Sequence, residues 1–501
     1  MEIERTLSAA LLGLAVSLLL ERWLLSPARD SSAAAKSRVL VAHTLIWLLM
    51  FSALAALSGR PWFSLVVMVA LQLVLLLVNN AKLTTLGEPF IFQDYEYFTD
   101  AIRFPRLFLP FFGYGKTALL TVVISSAVIS GWLLEPPVSR VLSVGIALCA
   151  LTGMLLSEAH LPRPSFQPLL DLQRTSFFTS LWQYARAERE RPEIAAKSPI
   201  PARETRAHRS SPHIVVVQSE SFFDPRELVP GLHPDLLSGF DRLREEAFSK
   251  GRVSVPAWGA NTVRSEFAFL TGLAGEQLGV HQFNPYRRLV YQGVPSLPSR
   301  LRQSGYRTVC VHPYARSFYR RDRVLPYLGF DEFQGEETFT DAERDGYFIA
   351  DSVLAERINE VVTESTEPLF IFAISMENHG PMDPHPVTPK VRESLFNASG
   401  AEYPEELTRY LHHLRNADRM AMQVRDCLER QERSAWLCWY GDHIPILNEV
   451  YSLWGRPSGE TDYVVWHNRQ AYSPLGEQDI SLTDLARLLS TAAFEPIARD
   501  A

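Results

Sequence analysis

Residues 213–222 read HIVVVQSESF, and the change of character along that stretch decides the fold. The apolar, β-branched run 214–217 is long enough only for a short buried strand, and it leads within three residues to Glu220. Three further runs behave alike: 307–311 stops at His312, 369–374 leads to His379 in MENHG, and 436–439 leads to Asp442 and His443 in YGDH. Helical stretches fill the spaces between them, for example 262–270, 351–362 and 417–432. Strands alternating with helices predict an α/β domain over 213–501. In open α/β sheets, ligand and catalytic groups collect beyond the carboxyl ends of the strands, so all five polar residues are expected on one rim. Singly, each has a plain structural explanation: a helix-cap partner, a satisfied core histidine, a polar turn. Their recurrence at four strand ends carries the argument.

Working outward, the first 159 residues are of another kind. A helix needs roughly 20 mostly apolar residues to cross a bilayer core, and five stretches come near that length: 7–25, 39–57, 61–78, 117–134 and 138–157. An all-α transmembrane bundle of about five spans is therefore expected over 1–159, with Glu21 and Arg22 at headgroup depth. Four spans after the first argue against a cleaved signal peptide. Between the third and fourth spans, 82–116 mixes aromatics (Phe90, Phe92, Tyr95, Tyr97, Phe98) with charges, as an interfacial segment would. Residues 160–212, rich in Arg, Glu, Ser and Pro, read as a linker with one helix near 169–188. A net charge of -7 excludes the basic face a nucleic-acid partner demands. Four widely spaced cysteines, Cys149, Cys310, Cys427 and Cys438, imply no disulfide framework.

Chemistry is concentrated in GANTVRSEFAFLTGL, residues 259–273. Thr262 opens a helix there, where free N–H groups and the helix dipole favour an anionic phosphoryl group. A threonine hydroxyl is a weak nucleophile by itself and calls for a divalent cation beside it. The plain alternative is an ordinary helix start, with Glu266 complementing the dipole. Carboxylate and imidazole ligands together suit Mn²⁺, Mg²⁺ or Zn²⁺ better than Ca²⁺.

These motifs resemble the lipoteichoic acid synthase and phosphoglycerol transferase family, membrane members of the alkaline phosphatase and sulfatase superfamily. The resemblance implies a sulfatase-like α/β domain and one divalent metal, Mn²⁺ by preference, held by Glu220, Thr262, Asp442 and His443. It implies that Thr262, in T-V-R-S-E-F, is the nucleophile, and that His312, Tyr319, Arg321 and His379 contact the glycerol phosphate. Tyr319, in F-Y-R-R, stands where the synthases commonly carry an indole. The donor implied is phosphatidylglycerol and the acceptor a glycan outside the cytoplasm of a bacterial inner membrane. A sulfatase lacks support, because no C/S-x-P-x-R string surrounds Thr262. A phosphoethanolamine transferase or phosphodiesterase of the same superfamily stays open, as does a degenerate membrane sensor or scaffold. Loop charges disagree with the implied topology: Arg29, Lys36 and Arg38 fall in the first loop, against Arg60 and Arg140 in the second and fourth. By the positive-inside rule alone the domain would be cytoplasmic; the resemblance puts it outside.

Overall fold

The computed structural model describes residues 2–25, 33–190, 192, 194, 200, 211–397, 402–469 and 473–494. They form two compact units, Met1–Arg191 and Pro192–Ala501. The break falls inside the stretch read as a linker, most of whose second half (191–210) lies outside the described residues, as does Arg29.

In the first unit, apolar helices span Glu2–Leu24, Ala33–Ser58, Pro61–Leu86, Tyr114–Leu134 and Val141–Ser157. Four are long and apolar enough to cross a membrane, and the last is shorter, at 17 residues. Glu21 is buried within the bundle, 3.1 Å from His43 Nδ1 on the second helix, because a carboxylate among apolar helices needs a partner. The aromatic segment 82–116 is helical almost throughout. Gly87, at φ 72°, ends the third span, and short helices follow at Tyr97–Arg103 and Pro105–Phe112. Lys82 pins the turn between the third span and these short helices by an ion pair of 2.7 Å to Asp94. The helix expected near 169–188 is two, Pro168–Arg174 and Phe177–Ala187. Ser176 breaks them and caps the second by accepting the Thr179 N–H. Phe177 and Phe178 bury themselves in the core of this unit with Trp47 and Phe51.

In the second unit the strands are β1 (His213–Ser219), β2 (Ser249–Ser254), β3 (Arg307–Val311), β4 (Glu332–Gln334), β5 (Arg344–Asp345), β6 (Phe348–Ile349), β7 (Leu369–Ile374), β8 (Ala435–Gly441), β9 (Thr461–His467), β10 (Gly476–Glu477) and β11 (Ile480–Ser481). Among the described residues, all but the β5–β6 hairpin join one sheet in the order β10-β2-β9-β8-β1-β7-β3-β4, with β11 beside β2. The four strands expected from sequence are adjacent and parallel, β8-β1-β7-β3, with Ile214 level with both Phe370 and Trp436. β9 runs antiparallel to β8 and β2, so the sheet is mixed.

Alternate residues feed two cores. Val215, Val217, Leu437 and Trp439 face one core, shared with helices Asp351–Glu364 and Glu405–Glu429. Ile214, Val216, Trp436 and Cys438 face the other, shared with Thr262–Thr271 and Leu482–Phe494. Burial on both faces is why these strands read as unbroken apolar runs. The helix expected over 417–432 begins much earlier, at Glu405, since its first turns show only one apolar stripe.

Candidate active site

Two chain reversals shape the rim. After β1, Ser221 takes a left-handed backbone (φ 53°), which lets its N–H donate to Asp442 Oδ1 at 2.8 Å and its hydroxyl donate to Glu220 Oε1 at 2.9 Å. At the end of β8 the chain passes so close to the turn after β1 that a Cβ on Gly441 would meet the Phe222 carbonyl oxygen at 2.0 Å. Only glycine fits there. These two approaches bring Glu220 and Asp442 together although they lie far apart in sequence.

Glu220, Asp442 and His443 are buried, with one ligand-type atom from each lying within 4.8 Å of the others. His443 Nδ1 lies 3.1 Å from the Ile444 carbonyl oxygen, which can only accept, so Nδ1 carries the proton and Nε2 presents a lone pair. That lone pair looks at Glu220 Oε1 (3.5 Å) and Asp442 Oδ2 (3.3 Å), and the latter oxygen has no hydrogen bond. Burial, then the Asp442 charge, pushes the Glu220 carboxyl up to about 8. Three electron-rich groups facing inward with an orphaned oxygen are the donor set of a divalent cation, and the residues fit one.

Thr262 joins this group, its Oγ1 lying 3.5 Å from His443 Nε2. Gly259 (φ 72°) and Asn261 (φ 69°) turn the chain sharply into helix Thr262–Thr271, all ten residues of which are buried. Ser265 ties that helix to the rim by donating to the Asp442 carbonyl oxygen at 2.7 Å.

A second group lies around Arg321. Its buried guanidinium pairs with Glu266, which also accepts from the Tyr286 hydroxyl at 2.7 Å. Glu266 is therefore no dipole complement at the helix start. His312 Nδ1 donates to the Ile374 carbonyl oxygen (3.0 Å), leaving Nε2 to accept from Arg321 Nη1 (3.2 Å). Burial first, then the Arg321 charge, holds the His312 pKa well below its ordinary value. The Tyr319 ring lies 5.2 Å from the Arg321 guanidinium, on two successive left-handed residues, Tyr319 (φ 54°) and Arg320 (φ 57°). Such backbone strain clusters at functional sites. His379 stands close enough to feel both Asp442 and Arg321, and burial holds its pKa down to about 4. Sequence reasoning missed Glu266 as the partner of Arg321 and Tyr286 as a donor to Glu266; the only signal on offer was a lone acidic residue within the helix.

The sulfatase family model matches residues 212–493, more than half of the chain. The chain belongs to the sulfatase family. With it goes membership of the alkaline phosphatase and sulfatase superfamily of enzymes. Among curated proteins it is similar to the capsular polysaccharide biosynthesis protein RkpI of Rhizobium meliloti (strain 1021), 28% identical over 450 residues covering 83% of this chain and 79% of RkpI. A putative cyclic beta-1,2-glucan modification protein of the same organism is 31% identical over 292 residues, 54% of this chain and 44% of that protein. Among solved structures, the integral membrane lipooligosaccharide phosphoethanolamine transferase A of Neisseria meningitidis shares the fold, with TM-score 0.57, 14% identity, and coverage of 95% of this chain and 93% of that one. Four helices long and apolar enough to cross a membrane make the sulfatase-family chain a multi-pass membrane protein.

Proposed function

We propose that this protein is a metal-dependent phosphoglycerol transferase of a bacterial inner membrane, moving glycerol phosphate from phosphatidylglycerol to a glycan on the extracytoplasmic side. The observation that carries the reading is Thr262, placed at a helix start 3.5 Å from His443 Nε2, beside the buried Glu220 and Asp442 carboxylates. Glu220, Asp442, His443 and the Thr262 hydroxyl would hold the cation, Mn²⁺ by preference and Zn²⁺ or Mg²⁺ as alternatives, and when bound it supplies positive charge and Lewis acidity. The N–H groups at the start of the Thr262–Thr271 helix favour the anionic phosphoryl group. Thr262 Oγ1 attacks phosphorus, the bond to the diacylglycerol oxygen breaks, and that oxygen leaves with a proton as diacylglycerol. An acceptor hydroxyl then attacks the phosphothreonine ester, gives up its proton and restores the Thr262 hydroxyl. Arg321 and His379 stabilise nonbridging oxygens, since phosphoryl transfer depends mainly on positioning and electrostatics. His312, neutral and oriented by Ile374, orients Arg321 in turn and with Tyr319 borders the glycerol.

A glycan acceptor draws support from the capsular polysaccharide and glucan roles in the names of the two relatives. The division into a membrane domain (1–159), a linker (160–212) and a catalytic domain (213–501) belongs to the same proposal. The test is diacylglycerol release from vesicles of phosphatidylglycerol with Mn²⁺, set against phosphatidylethanolamine vesicles. Release from the first, abolished in Thr262→Ala, is the expected result. Release from the second alone would make the protein a phosphoethanolamine transferase.

A further inference from the structure

Beside the Thr262 cluster, on the adjacent strand end, lies a second group of ligand-type residues that the transferase reading does not use. Glu377 follows β7, Asp345 ends β5, and His413 projects from helix Glu405–Glu429. One ligand-type atom of each lies within 4.8 Å of the others. His413 Nδ1 is 2.8 Å from Glu377 Oε1, while Asn416 bridges, donating to Glu377 Oε1 at 2.7 Å and Asp345 Oδ2 at 3.0 Å. His412 Nε2 lies 2.8 Å from Asp345 Oδ2. These hydrogen bonds alone would satisfy a purely structural network.

Asp351 is not satisfied. It opens helix Asp351–Glu364 and donates its backbone N–H to Glu377 Oε2 at 2.6 Å, so it stands directly against this group. Its side chain is 1% exposed, yet neither carboxylate oxygen has a hydrogen-bond partner. The charges acting on it are those of Glu377, Glu220 and Asp345, every one negative. An ionised carboxylate buried without a partner, among three others, is costly unless a cation lies among them.

We infer that Asp345, Glu377 and His413 form a second divalent-cation site, with the unpaired Asp351 carboxylate beside it, distinct from the Glu220, Asp442 and His443 group. Two carboxylates with one imidazole suit Mn²⁺ or Zn²⁺. Such an ion joins the β5–β6 hairpin, the start of helix Asp351–Glu364, the loop that carries His379, and the long helix 405–429. Its role is to fix the MENHG loop in place.

The test is metal content of the full-length protein in detergent, loaded with Mn²⁺ or Zn²⁺, desalted and analysed by mass spectrometry. The wild type should keep about two equivalents, and Glu220→Gln and Glu377→Gln about one each, given that carboxylate ligands set affinity at such mixed sites. Retention of one equivalent by the wild type, all of it lost in Glu220→Gln, would overturn the inference. So would unchanged metal content in Glu377→Gln, or a thermally stabilised Asp351→Asn with wild-type metal content, the sign of a merely protonated carboxyl. To guard against misfolding, thermal unfolding of Glu220→Gln is followed with Zn²⁺ alone. A rise in Tm that disappears when Glu377→Gln is added supports the second site, and no rise counts against it. Diacylglycerol release plays no part in these readouts, so they stand apart from the outcome for Thr262→Ala.

Discussion

Two neighbouring parts of the rim handle buried charge in opposite ways. Around Arg321 every charge has a partner already: the guanidinium lies on Glu266, Glu266 on Tyr286, and His312 is neutral and oriented at both ring nitrogens. Around Glu220 the negative groups outnumber their partners, Asp442 Oδ2 has no hydrogen bond, and the His443 lone pair faces carboxylate oxygens. The first arrangement is complete as folded protein, whereas the second is complete only with a cation. Preorganised charge and recruited charge thus sit side by side on one sheet edge.

The widest separation between the two should come from chemistry. Thr262→Ala removes the attacking oxygen and should lower diacylglycerol release by about 10³-fold or more, as nucleophile removal does in other covalent enzymes. If the loss is below tenfold, the Glu220 group is not organised around Thr262.

Stability should split them next. Arg321→Ala strands Glu266 in the interior and should cost about 3–5 kcal/mol in urea unfolding, the usual consequence of breaking a buried pair. Asp442→Asn in metal-free protein removes a charge that has no counterpart, so stability should hold or rise. Equal destabilisation by both would erase the contrast. Chelation should then leave the Arg321 group untouched. At the Glu220 group, the wild type should lose about 2.7 kcal/mol relative to protein with free metal at a hundred times the Kd of that site, read as a fall in Tm, and the total loss in Asp442→Asn should be smaller than in the wild type by about that amount.

The smallest effect concerns protons. Because burial holds His379 down to about 4 from 6.5, the unfolded chain binds a proton between those values that the folded chain does not. Stability should therefore decline as pH falls from 6.5 towards 4, and His379→Gln should flatten that slope. Identical Tm profiles over this range would show that folding leaves the proton affinity of the His379 ring unchanged.

Much of this architecture is legible in the amino-acid sequence. β1, β3, β7 and β8 are buried on both faces, so each carries an unbroken apolar run, and the polar residues of the rim follow within a few positions of its end. β2 and β9 do not stand out in the same way. β2 reads SKGRVS, with its odd residues buried and its even ones partly or fully exposed, too polar to be recognised as a core strand. The pairing of Arg321 with Glu266 joins residues 55 apart in the chain, and nothing local in either neighbourhood announces it. Asp345 and His413 lie outside any short motif, so their meeting with Glu377 is a product of the tertiary fold alone.

Gly441 carries a last lesson. Y-G-D-H is usually valued for its final two letters, but the second is what permits β8 to slide under the Phe222 carbonyl and deliver them. A single methyl group there would keep every ligand in the sequence and spoil their meeting. A search for working relatives should accordingly weigh that hydrogen-only side chain as heavily as the acid and the imidazole behind it.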